Sequence, residues 1–346
     1  MLLNKIVGMF SHDVAIDLGT ANTIVLVKGQ GIVVNEPSIV AVRVDRFDRD
    51  GEIVAVGYEA KEMVGKTPNG IQVIRPMKDG VIADFDVTEK MIRYFIQKAH
   101  NRKALVRPRI MVCVPYGLTG VERKAVKESA MSAGAREVLL IEEPMAAAIG
   151  AGLPIKEPQG SLIVDIGGGT TEIGVISLGG LVISKSVRIA GDKIDLAIVN
   201  YVRKHHNLLI GERLGEEIKI EIGAAAPLDN MLSMEVKGRD QVSGLLDTIT
   251  LTSEDIREAM KDQLREISSA VKSVIESVPA DLAGDLVENG LTLTGGGALI
   301  RGLDRYLSDT IKLPVFIGDE PLLAVAKGTG KALEEIDAVY NTANYQ

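Results

Sequence analysis

Leu162-Ile163-Val164-Asp165-Ile166-Gly167-Gly168-Gly169-Thr170-Thr171, running on into Glu172-Ile173-Gly174-Val175-Ile176, repeats a pattern met much earlier in the chain. There, Val14-Ala15-Ile16-Asp17-Leu18-Gly19-Thr20-Ala21-Asn22-Thr23 runs on into Ile24-Val25-Leu26-Val27. Each copy reads as a buried-type strand, an acidic residue, a tight glycine turn with threonines, and a second strand. Glycine lets backbone N–H groups approach an anion closely. A carboxylate at the strand end suits the water shell of Mg²⁺, which keeps several waters and takes few protein ligands. A single Asp-x-Gly also describes an ordinary hairpin turn. Two copies point to two similar domains gripping one nucleoside triphosphate from opposite sides.

The length of 346 residues exceeds one ordinary core and suits two domains. With 3% aromatics and no Trp, the cores must be built from Val, Ile, Leu and Ala. A formal charge of −8 argues against a nucleic-acid partner, whose phosphates need clustered Lys and Arg. Cys113 lies in the apolar run Ile110-Met111-Val112-Cys113-Val114 and reads as a small buried hydrophobe rather than a nucleophile. One cysteine allows no disulfide within the chain, which fits a reducing cytoplasm. The histidines show no metal-ligand spacing; His205 and His206 are adjacent, do not share a helix face, and read as solvated.

Working outward, Thr88 to His100 reads as a helix with Met91, Ile92, Phe95 and Ile96 facing in. Arg109 to Pro115 reads as a buried strand. Thr119-Gly120-Val121-Glu122 is a capping box that opens a helix ending near Gly134. A strand at Val138 to Ile141 leads into Glu142-Glu143-Pro144, with proline at the first helical position, and an Ala-rich stretch to Gly152 that allows close helix packing. The second half repeats this plan. Thr252 to Val278 is a long helix whose stripe of Ile256, Met260, Leu264, Ile267, Val271, Val274 and Val278 reads as core. Strand 291–294, the turn Gly295-Gly296-Gly297 and a helix from Ala298 to Leu307 follow. Two rival nucleotide signatures fail: Gly65-Lys66-Thr67 lacks the P-loop glycine at Ala60, and no G-x-G-x-x-G follows a strand.

Five segments now stand in order: Asp17-Leu18-Gly19-Thr20; Ile141-Glu142-Glu143-Pro144-Met145-Ala146-Ala147-Ala148; Asp165-Ile166-Gly167-Gly168-Gly169-Thr170; Leu293-Thr294-Gly295-Gly296-Gly297-Ala298; and Glu320-Pro321-Leu322-Leu323-Ala324-Val325-Ala326-Lys327-Gly328. Together they resemble the actin-like ATPase superfamily. Within it, Ile141 to Gly152, and Gly211-Glu212-Arg213 leading to Glu216-Glu217-Ile218-Lys219-Ile220-Glu221-Ile222-Gly223, look like the MreB family of bacterial actins. The resemblance covers essentially the whole chain. It implies an α/β, actin-like fold: two similar domains, each a mixed sheet with helices and a smaller subdomain, around a nucleotide cleft. The implied domains are 12–148 plus 319–346, with a small subdomain near 36–80, and 149–318, with one near 190–248.

The resemblance also implies roles. Asp17, Gly19, Thr20, Ala21 and Asn22 match a first phosphate loop. Asp165, Gly167, Gly168, Gly169 and Thr170 match a second. Asp17 and Asp165 would face Mg²⁺ through water. Glu143 would position the attacking water with Thr170 beside it. Gly191 and Asp192, then Glu216 and Lys219 on the adenosine-side helix, and Gly295, Gly296, Gly297 and Ala298 complete the ATP site. Implied partners are further copies of the chain, in paired antiparallel protofilaments, and the cell-wall elongation machinery. A sugar kinase would need a polar sugar pocket, and no such cluster is seen. A chaperone would need a substrate domain beyond Gly328.

No run reaches the ~18–20 apolar residues that span a bilayer. Residues 1–11 differ from the rest: Leu2, Leu3, Ile6, Val7 and Phe10 fall on one helical stripe and read as a helix lying in a membrane interface. Leu105-Val106, flanked by Arg102, Lys103, Arg107 and Arg109, reads as a second apolar contact with anionic lipid. The expected location is the cytoplasm, peripheral on the inner face of the cytoplasmic membrane.

Overall fold

Val- and Ile-rich runs form the central strands of both large sheets, since β-branched side chains fit a pleated, buried surface. The computed structural model describes residues 13–45, 48–99 and 107–343. In chain order the elements are β1 (Val14–Leu18), β2 (Asn22–Val27), β3 (Gly31–Pro37), β4 (Val40–Asp45), β5 (Asp48–Val56), α1 (Tyr58–Met63), β6 (Ile71–Ile74), β7 (Met77–Lys78), β8 (Val81–Ile82), α2 (Phe85–Ala99), β9 (Arg109–Val114), α3 (Gly120–Ser132), β10 (Glu137–Glu142) and α4 (Glu143–Gly150). There follow β11 (Ser161–Ile166), β12 (Thr171–Ser177), β13 (Gly180–Val187), α5 (Gly191–His206), β14 (Leu208–Leu209), α6 (Glu212–Ile222), β15 (Ser233–Asp240), β16 (Leu246–Thr252) and α7 (Ser253–Glu276). The last are α8 (Ala280–Asn289), β17 (Leu291–Thr294), α9 (Leu303–Ile311), β18 (Val315–Ile317) and α10 (Ala324–Ala343). Compact units divide at Leu153/Pro154 and at Leu322/Leu323, so α10 belongs with the first.

The first unit holds a five-stranded sheet ordered β10-β9-β1-β2-β3. Strands β1, β9 and β10 are parallel, while β2 and β3 return antiparallel. Side-chain alternation sorts the core. Val14, Ile16 and Leu18 join Ile110, Val112, Met91, Phe95 and Val126 on one face; Ala15 and Met111 meet Leu333 of α10 on the other. By the same alternation Asp17 belongs to the Ala15 face. The capping box is present, with Thr119 Oγ1 accepting from Glu122 N and the Glu122 carboxylate accepting from Thr119 N at 2.7 Å. A small sheet, β5-β4-β6, is covered by α1.

The second unit repeats the arrangement as β18-β17-β11-β12-β13, again parallel on one side of β11 and antiparallel on the other. Its small sheet is β14-β15-β16. The stripe of α7 is core: Ile256, Met260, Leu264, Ile267, Val271 and Val274 are buried, with Val278 packed against them. The helix read from Ala298 to Leu307 is in fact a short 3₁₀ turn, Gly296–Leu299, followed by α9. Ile300 is extended and Gly302 adopts a left-handed φ of 70°, so one helix cannot pass through. Helix α8 had no reading in the sequence. Among the described residues no helix is long and apolar enough to cross a membrane. Leu2, Leu3, Ile6, Val7, Phe10, Leu105 and Val106 lie outside the described residues.

The Ala-rich helix α4 meets α10 at near backbone contact. An added Cβ on Gly150 would stand 1.8 Å from Ala324 O, and one on Gly328 would stand 1.7 Å from Ala146 O. Gly328→Ala should therefore lower the unfolding free energy by about 3 kcal/mol or more, since neither backbone can yield without parting the helices. Gly120→Ala, where a Cβ meets nothing within 4 Å, should be neutral or slightly stabilising. Urea midpoints of the two variants decide it; equal midpoints would show that the α4–α10 contact is loose.

Candidate functional site

In the first unit the chain reverses between β1 and β2 through Gly19, Thr20 and Ala21. A Cβ on Gly19 would lie 2.6 Å from Asn22 O, so the turn closes only with glycine there. Its carbonyls are held from behind: Ser38 Oγ donates to Gly19 O at 2.6 Å and Ser38 N to Ala21 O at 2.9 Å. Gly80 N donates to Thr20 Oγ1 at 3.3 Å, and the Thr23 and Ser38 hydroxyls share a bond of 2.9 Å. A turn fixed through its carbonyls suits one that presents N–H groups to an anion.

Register places Glu143 on the same edge. Asp17 pairs with Cys113, and Cys113 with Ile141, so Asp17 and the end of β10 are separated by one strand. At about 4.8 Å per strand, they stand roughly 10 Å apart across the sheet. Glu143 opens α4 directly beyond β10, with Pro144 in the first turn, and Arg123 binds Glu142 at 2.8 Å. Asp17 and Glu143 are both half-buried. This is the carboxyl edge of parallel strands, where open α/β sheets take ligands. Cys113, 2% exposed in β9, behaves as core.

In the second unit Gly167 N donates to Thr170 O at 3.0 Å, closing the turn between β11 and β12. The start of α5 anchors it: Gly191 N donates to Gly167 O at 3.1 Å and Asp192 N to Gly168 O at 2.8 Å. The Gly295–Gly297 turn rests on the end of β11. Added Cβ atoms on Gly295 and Gly297 would each meet Ile166 at 2.3 Å, and Gly295 has φ +78°. Ala298 is fully buried beneath this turn. On α6, Lys219 Nζ pairs with Asp195 Oδ1 at 2.7 Å and lies 3.5 Å from Gly191 O, with Glu216 one turn earlier.

Asp165 tests whether a cation fits. It is 5% exposed, and burial pushes its pKa up to about 6. The Thr294 hydroxyl, its partner across β17, favours the charged form only weakly. Neither Asp165 Oδ1 nor Thr294 Oγ1 makes a hydrogen bond of good geometry. A buried carboxylate in that state is unfavourable unless an ion or water answers it. A hydrated Mg²⁺ supplies both the charge and the hydrogen bonds, so the donors present fit it.

The residues read from sequence thus gather within each unit. Asp17, Gly19, Thr20, Ala21, Asn22 and Glu143 share one sheet edge of the first. Asp165, Gly167 to Thr170, Gly191, Asp192, Lys219 and Gly295 to Ala298 converge in the second. Thr294 and Asp195 were not assigned roles. Thr294 sat inside a quoted motif, but its orphaned hydroxyl is visible only with β11 alongside. Asp195 had no signal, because it follows Gly191 at ordinary helical spacing. One basic residue needs correction. Arg109 is not a surface cation offered to lipid: it is 8% exposed and binds Asp13 at 2.7 Å, with Arg136 joining at 3.3 Å.

Comparisons with known proteins match the chain over nearly its whole length. A family model described as MreB/Mbl protein matches residues 11–341. The cell shape-determining protein MreB of Escherichia coli (strain K12) is 57% identical over 337 residues, covering 97% of each chain. The cell shape-determining protein Mbl of Bacillus subtilis (strain 168) is 48% identical over 329 residues, covering 95% of this chain and 98% of that one. Crystalline MreB 5 of Spiroplasma citri bound to AMPPNP superposes with a TM-score of 0.89 at 38% identity, over 96% of this chain and 99% of that one. The MamK double helical filament, at 20% identity and a TM-score of 0.78, shares the fold, over 93% of this chain and 99% of that one. The fold is actin-like.

The raised pKa of Asp165 has a measurable sign. Below about pH 4 the carboxyl is protonated in both folded and unfolded chains. As pH rises through about 6 the folded state must bury the charge, so this part of the stability is lost. Without Mg²⁺ and nucleotide, Asp165→Asn should therefore be more stable than the parent near about pH 8, by about 1–3 kcal/mol, and level with it near about pH 4. Parallel stability curves across that range would show that Asp165 is not strained by burial.

Proposed function

This chain belongs to the MreB/Mbl family, and on that premise we propose that it binds and hydrolyses ATP, assembles into membrane-associated filaments and organises cell-wall elongation and rod shape. The observation that carries the nucleotide reading is the duplication itself. Each unit carries an acidic residue next to the end of a β-strand, reverses through a short glycine-containing turn, and places that turn at the carboxyl edge of parallel strands. The Spiroplasma citri relative is bound to AMPPNP in one crystal structure and to ADP in another.

Phosphoryl transfer to water needs positioning and electrostatics more than covalent help. The N–H groups of Gly19 to Asn22 and of Gly168 to Thr170 would cradle the phosphates, with Gly167 closing the second turn. Asp17 and Asp165 would hold Mg²⁺ through its waters; when bound, the ion neutralises phosphate charge. Glu143, with Thr170, would orient the attacking water. Glu216 and Lys219 would bind the sugar side, with Gly295 to Ala298 against the base and ribose. Gly191 and Asp192 contribute by fixing the second turn.

Family membership supports self-assembly, which the proposal takes to be paired antiparallel protofilaments with the cell-wall elongation machinery as partner. Location on the inner face of the cytoplasmic membrane has support from connectivity. Residues 1–12 join the fold at Asp13 and residues 100–106 join it at Arg107, and Asp13 pairs with Arg109 at the foot of the neighbouring parallel strands β1 and β9. Both proposed lipid contacts, Leu2 to Phe10 and Leu105-Val106, thus stem from one end of one sheet. Each contact is weak alone, because ordering a tail offsets much of its interfacial burial. A filament that presents many of them gains avidity.

Glu143→Ala should slow ATP hydrolysis by ~10²-fold or more while nucleotide still binds. A wild-type rate removes Glu143 from the water site. Sedimentation with ATP and anionic liposomes tests assembly and attachment together. The parent should pellet as filaments with lipid. A variant lacking residues 2–10 and carrying Leu105→Ser and Val106→Ser should pellet as filaments but leave the lipid behind. A parent that stays monomeric over a wide concentration range with ATP and lipid would sink the filament reading.

A further inference from the structure

Gly191 and Asp195 lie one turn apart on α5, and Gly215 and Lys219 lie one turn apart on the facing side of α6. The helices touch at Gly215, where an added Cβ would meet Asp195 O and Val199 Cγ2, both at 2.9 Å. That contact leaves little room for the Lys219 side chain to wander. Its ammonium ends between Asp195 Oδ1 at 2.7 Å and Gly191 O at 3.5 Å. Gly191 is itself bound to the glycine turn through its N–H on Gly167 O. A continuous path therefore runs from the phosphate turn, through the first residue of α5, to the side chain that reaches from α6.

The pair is a poor stabiliser. Asp195 is 8% exposed, and burial raises its pKa to about 6 despite the pull of Lys219, with Glu216 and Asp192 pushing the same way. A buried ion pair whose desolvation outweighs its attraction is weak evidence for stability and better evidence for a demand on geometry. The charge balance also speaks to ligand chemistry. Asp195 feels the carboxylates of Glu216 and Asp192 as well as the Lys219 ammonium, so acids outnumber the one cation acting on it. Such a spot repels phosphate and suits neutral hydroxyls, which can accept from Lys219 and donate to a carboxylate.

We infer that Asp195 is a positioning residue: it fixes the Lys219 ammonium against the head of α5, so that the sugar-binding side of the site and the phosphate turn are held in one register. This rests on the reading above that Lys219 faces the nucleoside. Lysine carries large rotamer freedom, and without the carboxylate that freedom must be restricted by the ligand itself. The carboxylate acts through Lys219 and need not touch the nucleotide.

The test compares the parent, Asp195→Asn, Asp195→Glu, Lys219→Met and the double variant Asp195→Asn with Lys219→Met. Each is titrated with ATP and with inorganic tripolyphosphate, which lacks the nucleoside, against a fluorescent ATP analogue. Asp195→Asn keeps the shape and removes the charge that burial opposes, so it should fold at least as well as the parent. It should weaken ATP binding about tenfold, the loss expected of one charge-assisted contact, and leave tripolyphosphate binding unchanged. Asp195→Glu should recover part of the loss. The double variant should be no worse than Lys219→Met. Additive losses, equal losses for both ligands, or an unchanged ATP affinity in Asp195→Asn while Lys219→Met is weakened would each overturn the inference. If Lys219→Met binds ATP like the parent, the nucleoside reading of α6 fails, and the role of Asp195 fails with it.

Discussion

A strand that carries an acid next to its end, reverses through a tight glycine-containing turn and returns antiparallel is the constraint on which both halves of this molecule are built. Around Gly19 the reversal is set by contact with Asn22 O, and around Gly167 by a hydrogen bond to Thr170 O. Neither turn stands alone. Ser38 and Gly80 brace the first; the head of α5 and the Gly295–Gly297 turn brace the second. The braces come from segments far away in the chain, which is why each sheet needs its strand order to be right before its turn is right. The order is the same in both, reading β10-β9-β1-β2-β3 beside β18-β17-β11-β12-β13.

Electrostatics then gives the turns a direction. Asp165 and Asp195 are both buried with pKa values raised to about 6, and in each case burial is the largest cause. Burial of this kind opposes folding unless something compensates. At Asp165 a cation with its waters is the fitting compensation. At Asp195 an ammonium is already present, and the gain is positional. Strain of this kind near a binding site is the usual balance between stability and function.

Much of this was legible from residue order because the signals are local. The glycine turns, the capping box at Thr119, proline in the first turn of α4 and the apolar stripe of α7 each follow from short-range chemistry. What escaped notice depends on neighbours that sequence does not show. Ala298 to Leu307 looks like one helix until Gly302 takes its left-handed conformation. Arg109 looks like a surface cation until β1 brings Asp13 beside it. Thr294 and Asp195 gain their interest only from the strand and helix packed against them.

The central claim is that the two acid-and-glycine turns serve a single nucleotide. Amide hydrogen exchange on adding Mg-AMPPNP tests it most directly. The account predicts slowed exchange at Gly19 to Asn22 and at Gly167 to Thr170 together, saturating at one nucleotide per chain, with Gly295 to Gly297 following the same titration. Protection confined to one turn, or two turns saturating at different nucleotide concentrations, would contradict it.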